Sequence, residues 1–435
     1  MKFGLKNKLS FEEVVFYYIL SLTLFIDFLN GIWIKFVNPN ISLGQFIRVL
    51  VTMFCIYCIF KYNSTKSKRI LYFFSIIFFL GINFLFYNKF FNIYSSFKLI
   101  YFLVLTLAIF SLYDAKKFQL STIVSSINNN LYILPILILT SYVLNIGSSS
   151  YTKGFGYKGS FISLNGLNIS MIVLLIFAIE KEFNKFKYIK KFLMLVYIII
   201  PTIFLGTKSS ILFSIFSFIL YFVYNKIYKI NSINNDKSVK NIYSYIGIIL
   251  IIIFLILNNY SYLILRKILE RQIYFIQFTL QKTNNYNIIT YLLSTRNIFL
   301  REISKYFLNN FSIIKIFIGS GAFEIQKELA HILGLNGLKS IEMDLFDIFF
   351  YYGIIGVILT YGFCVYIFIK NIPKENFKVK RPFFISFICI IIFSILGGHV
   401  FFQPMSSTFL SISLCGLYMK GFNNKDENNR NLYDV

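Results

Sequence analysis

Charge is what this chain has least of. Only 14% of its 435 residues are charged and 57% are hydrophobic, whereas soluble domains carry roughly a quarter charged residues. Crossing ~30 Å of hydrocarbon takes ~20 helical residues, so about a dozen such runs would use more than half the chain and leave no separate soluble domain of ordinary size. Acids are scarcer than bases, 18 against 43, for a formal charge of +25. In a soluble protein that surplus would suggest nucleic acid. Here the bases fall in short clusters between apolar runs, which is the pattern of cytoplasmic loops, and no nucleic-acid partner is expected. The five cysteines (Cys55, Cys58, Cys364, Cys389, Cys415) all lie inside apolar runs. Cys55 and Cys58 have a redox spacing without the βαβ context that motif needs, so these are buried, inert thiols and no disulfide framework is expected. Internal repeats of the transporter kind are absent. Lys2, Lys6 and Lys8 precede the first apolar run as in a signal peptide. That run continues past Ile34 without a small-residue cleavage site, so it reads as an uncleaved first span.

What the chain does have is a run of apolar stretches broken by one long polar gap. The expected fold is an all-α integral membrane domain, residues 1–435, with about 12 transmembrane helices. The spans fall near 12–34, 42–60, 70–87, 94–113, 130–146, 163–179, 192–206, 209–225, 242–263, 345–369, 382–398 and 405–420. Basic clusters alternate from loop to loop, placing both termini in the cytoplasm and the 264–345 segment outside as one large, partly helical loop. That gap holds Arg266, Arg271, Arg296 and Arg301, half of the chain's eight arginines, and one of its two histidines, His331.

Several polar groups collect at the expected outer side. Asp27 and Arg48 stand at matching depth in consecutive spans, as a structural ion pair or as an arginine aimed at an anionic lipid headgroup. Lys98 lies just inside the outer end of span four, where it would snorkel. Glycines and serines surround Lys153 and Lys158 in the 147–162 loop, and Lys208 sits in a second turn on the same side. Such loops let backbone and cation approach an anion. Ser294-Thr295-Arg296 opens a helix to about Leu308 with Ser294 or Thr295 as its cap, putting Arg296 at a helix N-terminus that favours anions. Arg301 points well away from Arg296 on that helix. Ser340 is an expected N-cap for the span-ten helix, with Glu342 and Asp344 in its first turn. Asp347 lies a turn deeper. The three acids are candidates for a general base. His399 follows a Gly-Gly turn on the same side.

In that order, the segments YKGSFISLNGLNIS (157–170), LGTKSS (205–210), STR (294–296), IGSG (318–321), EMDLFDIFFYYGIIG (342–356) and GGHVFFQPMSS (397–407) resemble the O-antigen polymerase and O-antigen ligase superfamily. The resemblance covers roughly residues 150–420. It implies a C-type glycosyltransferase in the bacterial plasma membrane, acting on undecaprenyl-diphosphate-linked oligosaccharides without metal or other cofactor, with a chain-length regulator as a further partner. The family's loop arginine maps onto Arg296. Where ligases carry a His-Asn pair this chain has Glu342-Met343, a departure that points to the capsule or exopolysaccharide polymerase branch. On this reading Arg296 is catalytic, Glu342 or Asp344 takes the proton from the attacking hydroxyl, and Arg48, Lys158, Lys208, Arg301 and His399 bind the diphosphate or substrate. The alternatives are a flippase or exporter of lipid-linked oligosaccharide and a ligase-type transferase.

Overall fold

The computed structural model describes residues 10–63, 67–87, 90–150, 156–185, 205, 207–227, 290, 293–372 and 377–419. Among them the architecture is all-helical. The helices are α1 (Phe11–Ser21), α2 (Thr23–Phe36), α3 (Leu43–Tyr62), α4 (Lys68–Tyr87), α5 (Phe90–Asp114), α6 (Leu120–Val143), α7 (Leu164–Lys185), α8 (Lys208–Ile227), α9 (Arg296–Asn309), α10 (Ile313–Ile318), α11 (Ala322–Ile332), α12 (Asp344–Val357), α13 (Phe363–Lys370), α14 (Phe377–Leu396) and α15 (Pro404–Tyr418). A π-helical turn, Ile358–Gly362, joins α12 to α13.

Among the described residues six helices are long and apolar enough to cross a membrane, and a seventh crossing results if the pair α1–α2, bent by 54°, counts as one. About twelve were expected. The expected spans at 192–206 and 242–263 lie outside the described residues. Those at 163–179 and 405–420 are helices, but the apolar part of α7 and the 15-residue α15 are short. At 1.5 Å per residue α15 covers only ~22 Å. From Met405 to Leu417 it is buried on every side, so it is a core post against which α5, α7 and α14 pack rather than a lipid-facing span.

The expected outer loop, described from 293 onward, folds into α9, α10 and α11. It does not stand clear of the bundle, because α10 lies directly against α12. Two glycines permit this approach. Gly319 (φ +86°) and Gly353 (φ +65°) take conformations that side chains rarely adopt, and a Cβ on either would come within 2.3 Å of the other strand's backbone. Ser320 and Gly321 then donate their N–H groups to the carbonyls of Phe350 and Tyr351 at 2.8 and 3.1 Å. Those carbonyls are free because the helix is broken at Gly353. Asn83 on α4 bridges the crossing, donating to the carbonyls of Ile318 and Tyr351 at 3.0 and 3.2 Å.

The opposite end of the bundle, rich in lysine, is closed by ion pairs. Lys61 meets Glu12 at 2.6 Å. Arg69 meets Asp114, with Tyr418 beside both. A buried Arg381 holds Glu180, with Nε at 2.7 Å. The five cysteines are free and buried.

Candidate functional site

Three chain segments meet at the end away from the lysine-rich one: the start of α9, the turn before α12 and the turn between α14 and α15. Arg296 forms the first residue of α9, as expected, but neither Ser294 nor Thr295 caps the helix. Both are left-handed, at φ +53° and +69°, and the Thr295 hydroxyl bonds the Ser294 carbonyl at 2.6 Å. The turn thereby swings Arg296 inward. Its guanidinium meets Glu342 at 2.9 Å and rests against Gly397, where a Cβ would lie 2.8 Å from the guanidinium nitrogen and push it away. Among the described residues Arg296 Nε is buried and has no partner.

Glu342 precedes α12 rather than standing in its first turn, at φ +67°. Its second oxygen takes Lys339 at 2.6 Å, and Lys339 also lies over the Phe299 ring. Burial disfavours its charge, but Lys339, Arg296 and His399 outweigh that and hold the carboxyl at about 2. A carboxylate so easily ionised is a poor proton acceptor near neutral pH. It is instead the counter-ion of a two-cation cluster.

The α12 helix starts at Asp344, with Met343 rather than Ser340 before it. Asp347 closes the preceding turn by accepting the N–H groups of Ile341 and Glu342 at 3.2 and 3.0 Å. Asp344, fully buried, accepts the N–H groups of Val400 and of Phe401, the latter at 2.9 Å. Its other oxygen lies 3.3 Å from His399 Nδ1. His399 Nε2 then stands 3.0 Å from the Ser340 hydroxyl. Serine, histidine and aspartate form a connected chain with the imidazole partly open to solvent and the carboxylate buried. Burial disfavours the imidazolium, yet the hydrogen bond and charge of Asp344 prevail, raising the pKa of His399 above its ordinary value. Ligand atoms of Asp344, Asp347 and His399 all lie within 4.8 Å of one another, a spacing compatible with a metal ion. Both oxygens of Asp347 and one of Asp344 already accept backbone N–H groups, which makes the acids clamps that hold two turns onto α12.

The remaining sequence candidates disperse. Arg48 pairs with Asp27 at 2.5 Å, the ion pair anticipated as one alternative. Arg301 is exposed and, among the described residues, meets its neighbour Glu302 at 3.0 Å. Lys158 is half-buried on a small hairpin where Ser149 pairs with Tyr157, and donates to the Ile162 carbonyl at 3.2 Å. Burial lowers its pKa. Lys208 opens α8 beside Thr207, which caps Ser210 N at 3.1 Å and is tied to Asn168. The loop His331 is the last-turn base of α11. Arg266 and Arg271 lie outside the described residues. Sequence reasoning missed Lys339 and the Ser340–His399 contact. The Lys339-x-x-Glu342 spacing was visible, but nothing local ties residue 340 to residue 399. Neither protein-family models nor curated proteins return a match to this chain.

Proposed function

We propose that this chain is a polysaccharide polymerase of the bacterial cell membrane: a C-type glycosyltransferase that joins polyprenyl-diphosphate-linked repeat units at the outer face, with both termini in the cytoplasm. The observation that carries this reading is the joining of two parts within one turn cluster. One is a cation pair, Arg296 and Lys339, neutralised by a single displaceable carboxylate. The other is a histidine oriented by a buried aspartate. An incoming diphosphate takes the place of the Glu342 carboxylate on the two cations, and the unpartnered Arg296 Nε supplies a further donor. The acceptor sugar hydroxyl occupies the position that the Ser340 hydroxyl now marks beside His399 Nε2. The hydroxyl oxygen bonds to the anomeric carbon as the carbon–oxygen bond to the diphosphate breaks. The electron pair leaves on the phosphate oxygen against Arg296 and Lys339, where fixed cations in a partly dry site act most strongly. The proton goes to His399 Nε2, and Asp344 steadies the imidazolium that results.

The lysine-rich opposite end, with Lys61, Arg69, Lys116 and Lys117, supports an inside–outside orientation with the cluster facing out. The test is polymer formation by cells carrying Arg296→Ala. The expected result is single lipid-linked units accumulating at the outer face with the protein still inserted. Normal polymer length removes Arg296 from the mechanism, and accumulation at the inner face makes the chain a flippase.

A further inference from the structure

A second basic group lies within the bundle, apart from the Arg296 cluster. Lys98 belongs to α5, inside a helix long and apolar enough to cross a membrane. Among the described residues no carboxylate pairs with it. Its ammonium stands over the Tyr94 ring, 4.1 Å from the centroid. The Tyr94 hydroxyl in turn accepts from Gln45 on α3 at 2.5 Å. One turn along α3 from Gln45 is Arg48, whose carboxylate partner among the described residues is Asp27. Arg48 is matched by Asp27 while Lys98, among the described residues, is matched by no carboxylate, which leaves a surplus positive charge between α3 and α5. Gln45 is exposed there, and the neighbouring Phe46 and Leu50 are exposed apolar side chains of the same helix, so this part of α3 faces the lipid side. Near the outer end of a span a lysine reaches the interface at small cost, where its ammonium is placed to meet a lipid phosphate.

We propose that Lys98, with Arg48, Tyr94 and Gln45, forms a second lipid-phosphate site, which takes the diphosphate of the acceptor lipid while the Arg296 cluster takes that of the donor. The inference rests on the polymerase reading in requiring two lipid-linked substrates at once. On α5, Ser96 bonds Tyr352 of α12 at 3.2 Å, while Tyr94, about half a turn round the helix, meets Gln45 of α3. On this proposal the oligosaccharide of the acceptor, rather than its phosphate, is what reaches His399.

The experiment is native mass spectrometry of the full chain released from lipid nanodiscs containing undecaprenyl diphosphate, without and with an equal amount of competing phosphatidylglycerol. Wild type is expected to retain a second undecaprenyl diphosphate that Lys98→Gln loses, with affinity for that molecule falling by at least about tenfold. Lys98→Arg should restore it, separating loss of charge from misfolding. Arg296→Ala should lose the other molecule and keep the Lys98-dependent one. Equal retention by wild type and Lys98→Gln overturns the site, as does displacement of that molecule by an equal amount of phosphatidylglycerol. Retention is measured without turnover. A wild type that holds both lipids but makes no polymer refutes the polymerase reading alone, and one that holds a single lipid refutes this site alone.

Discussion

Replacing Glu342 by glutamine separates two roles that the sequence left open. If the carboxylate were the general base, Glu342→Gln would abolish polymer. Under the proposed mechanism it has a different part: it neutralises Arg296 at 2.9 Å and Lys339 at 2.6 Å until a diphosphate displaces it. Side-chain exposure is 16% for Arg296 and 28% for Glu342, so these are partly screened pairs. Pairs of this kind are worth ~0.2–1 kcal/mol each. Two of them give roughly 1 kcal/mol that a bound diphosphate no longer has to displace, a tightening of about fivefold on the scale where ~1.4 kcal/mol is tenfold. Glutamine keeps the side-chain shape and tolerates the left-handed backbone no worse than glutamate does. Titration of the purified protein in nanodiscs with undecaprenyl diphosphate measures the effect. The sign with pH follows from the lowered carboxyl: its charge is present above the ordinary carboxylate range and is lost only as pH falls toward about 2. The difference between variant and wild type should therefore hold constant from about pH 5 to pH 8. Weaker lipid binding together with loss of polymer would refute the displacement argument and restore Glu342 as base or direct ligand.

Two further outcomes follow from the same geometry. His399 must be neutral to accept a proton, so polymerisation should rise with pH through an apparent pKa above the ordinary histidine value, and Asp344→Asn should move that limb downward by removing the charge that raises it. An unshifted limb in the variant would separate Asp344 from the proton transfer. Gly353→Ala should destabilise the α10–α12 crossing by roughly 1–3 kcal/mol from backbone conformation alone, and by more because its Cβ would meet the Phe317 carbonyl at 2.3 Å. Thermal unfolding and protease sensitivity of the 311–321 segment measure this, and a wild-type melting curve would contradict the close approach.

Much of the helical scaffold was legible because apolar runs of fixed length admit little else. The boundaries of α3, α4, α5 and α12–α13 fall within a few residues of where hydropathy puts them. Hydropathy could not separate a lipid-facing span from a core post, and α15 is apolar but too short and buried all round. The Asp27–Arg48 pair was visible as a matched depth in adjacent helices. The divergence of Arg301 from Arg296 was visible from helical periodicity. Local capping rules failed at both turns of the site. Thr295 is left-handed, and Ser340 bonds a histidine 59 positions away instead of a helix N–H.

The sequence by itself determined a chain of apolar helices with basic clusters between them, a polar segment late in the chain, and a short roster of arginines, acids and one histidine that a lipid-phosphate enzyme would need. Those features depend on composition and on spacing along one helix, which local physics fixes. Tertiary structure alone decided which of them act together. Arg296 reaches Glu342 only because two left-handed residues turn it inward against Gly397. Asp344 reaches His399 only because its carboxylate draws the 400–401 backbone onto the start of α12. Lys98 stands over the Tyr94 ring with no carboxylate partner among the described residues, and Tyr94 is met by Gln45 of α3. Each outcome depends on what another segment places opposite a side chain, and a single segment carries no record of that.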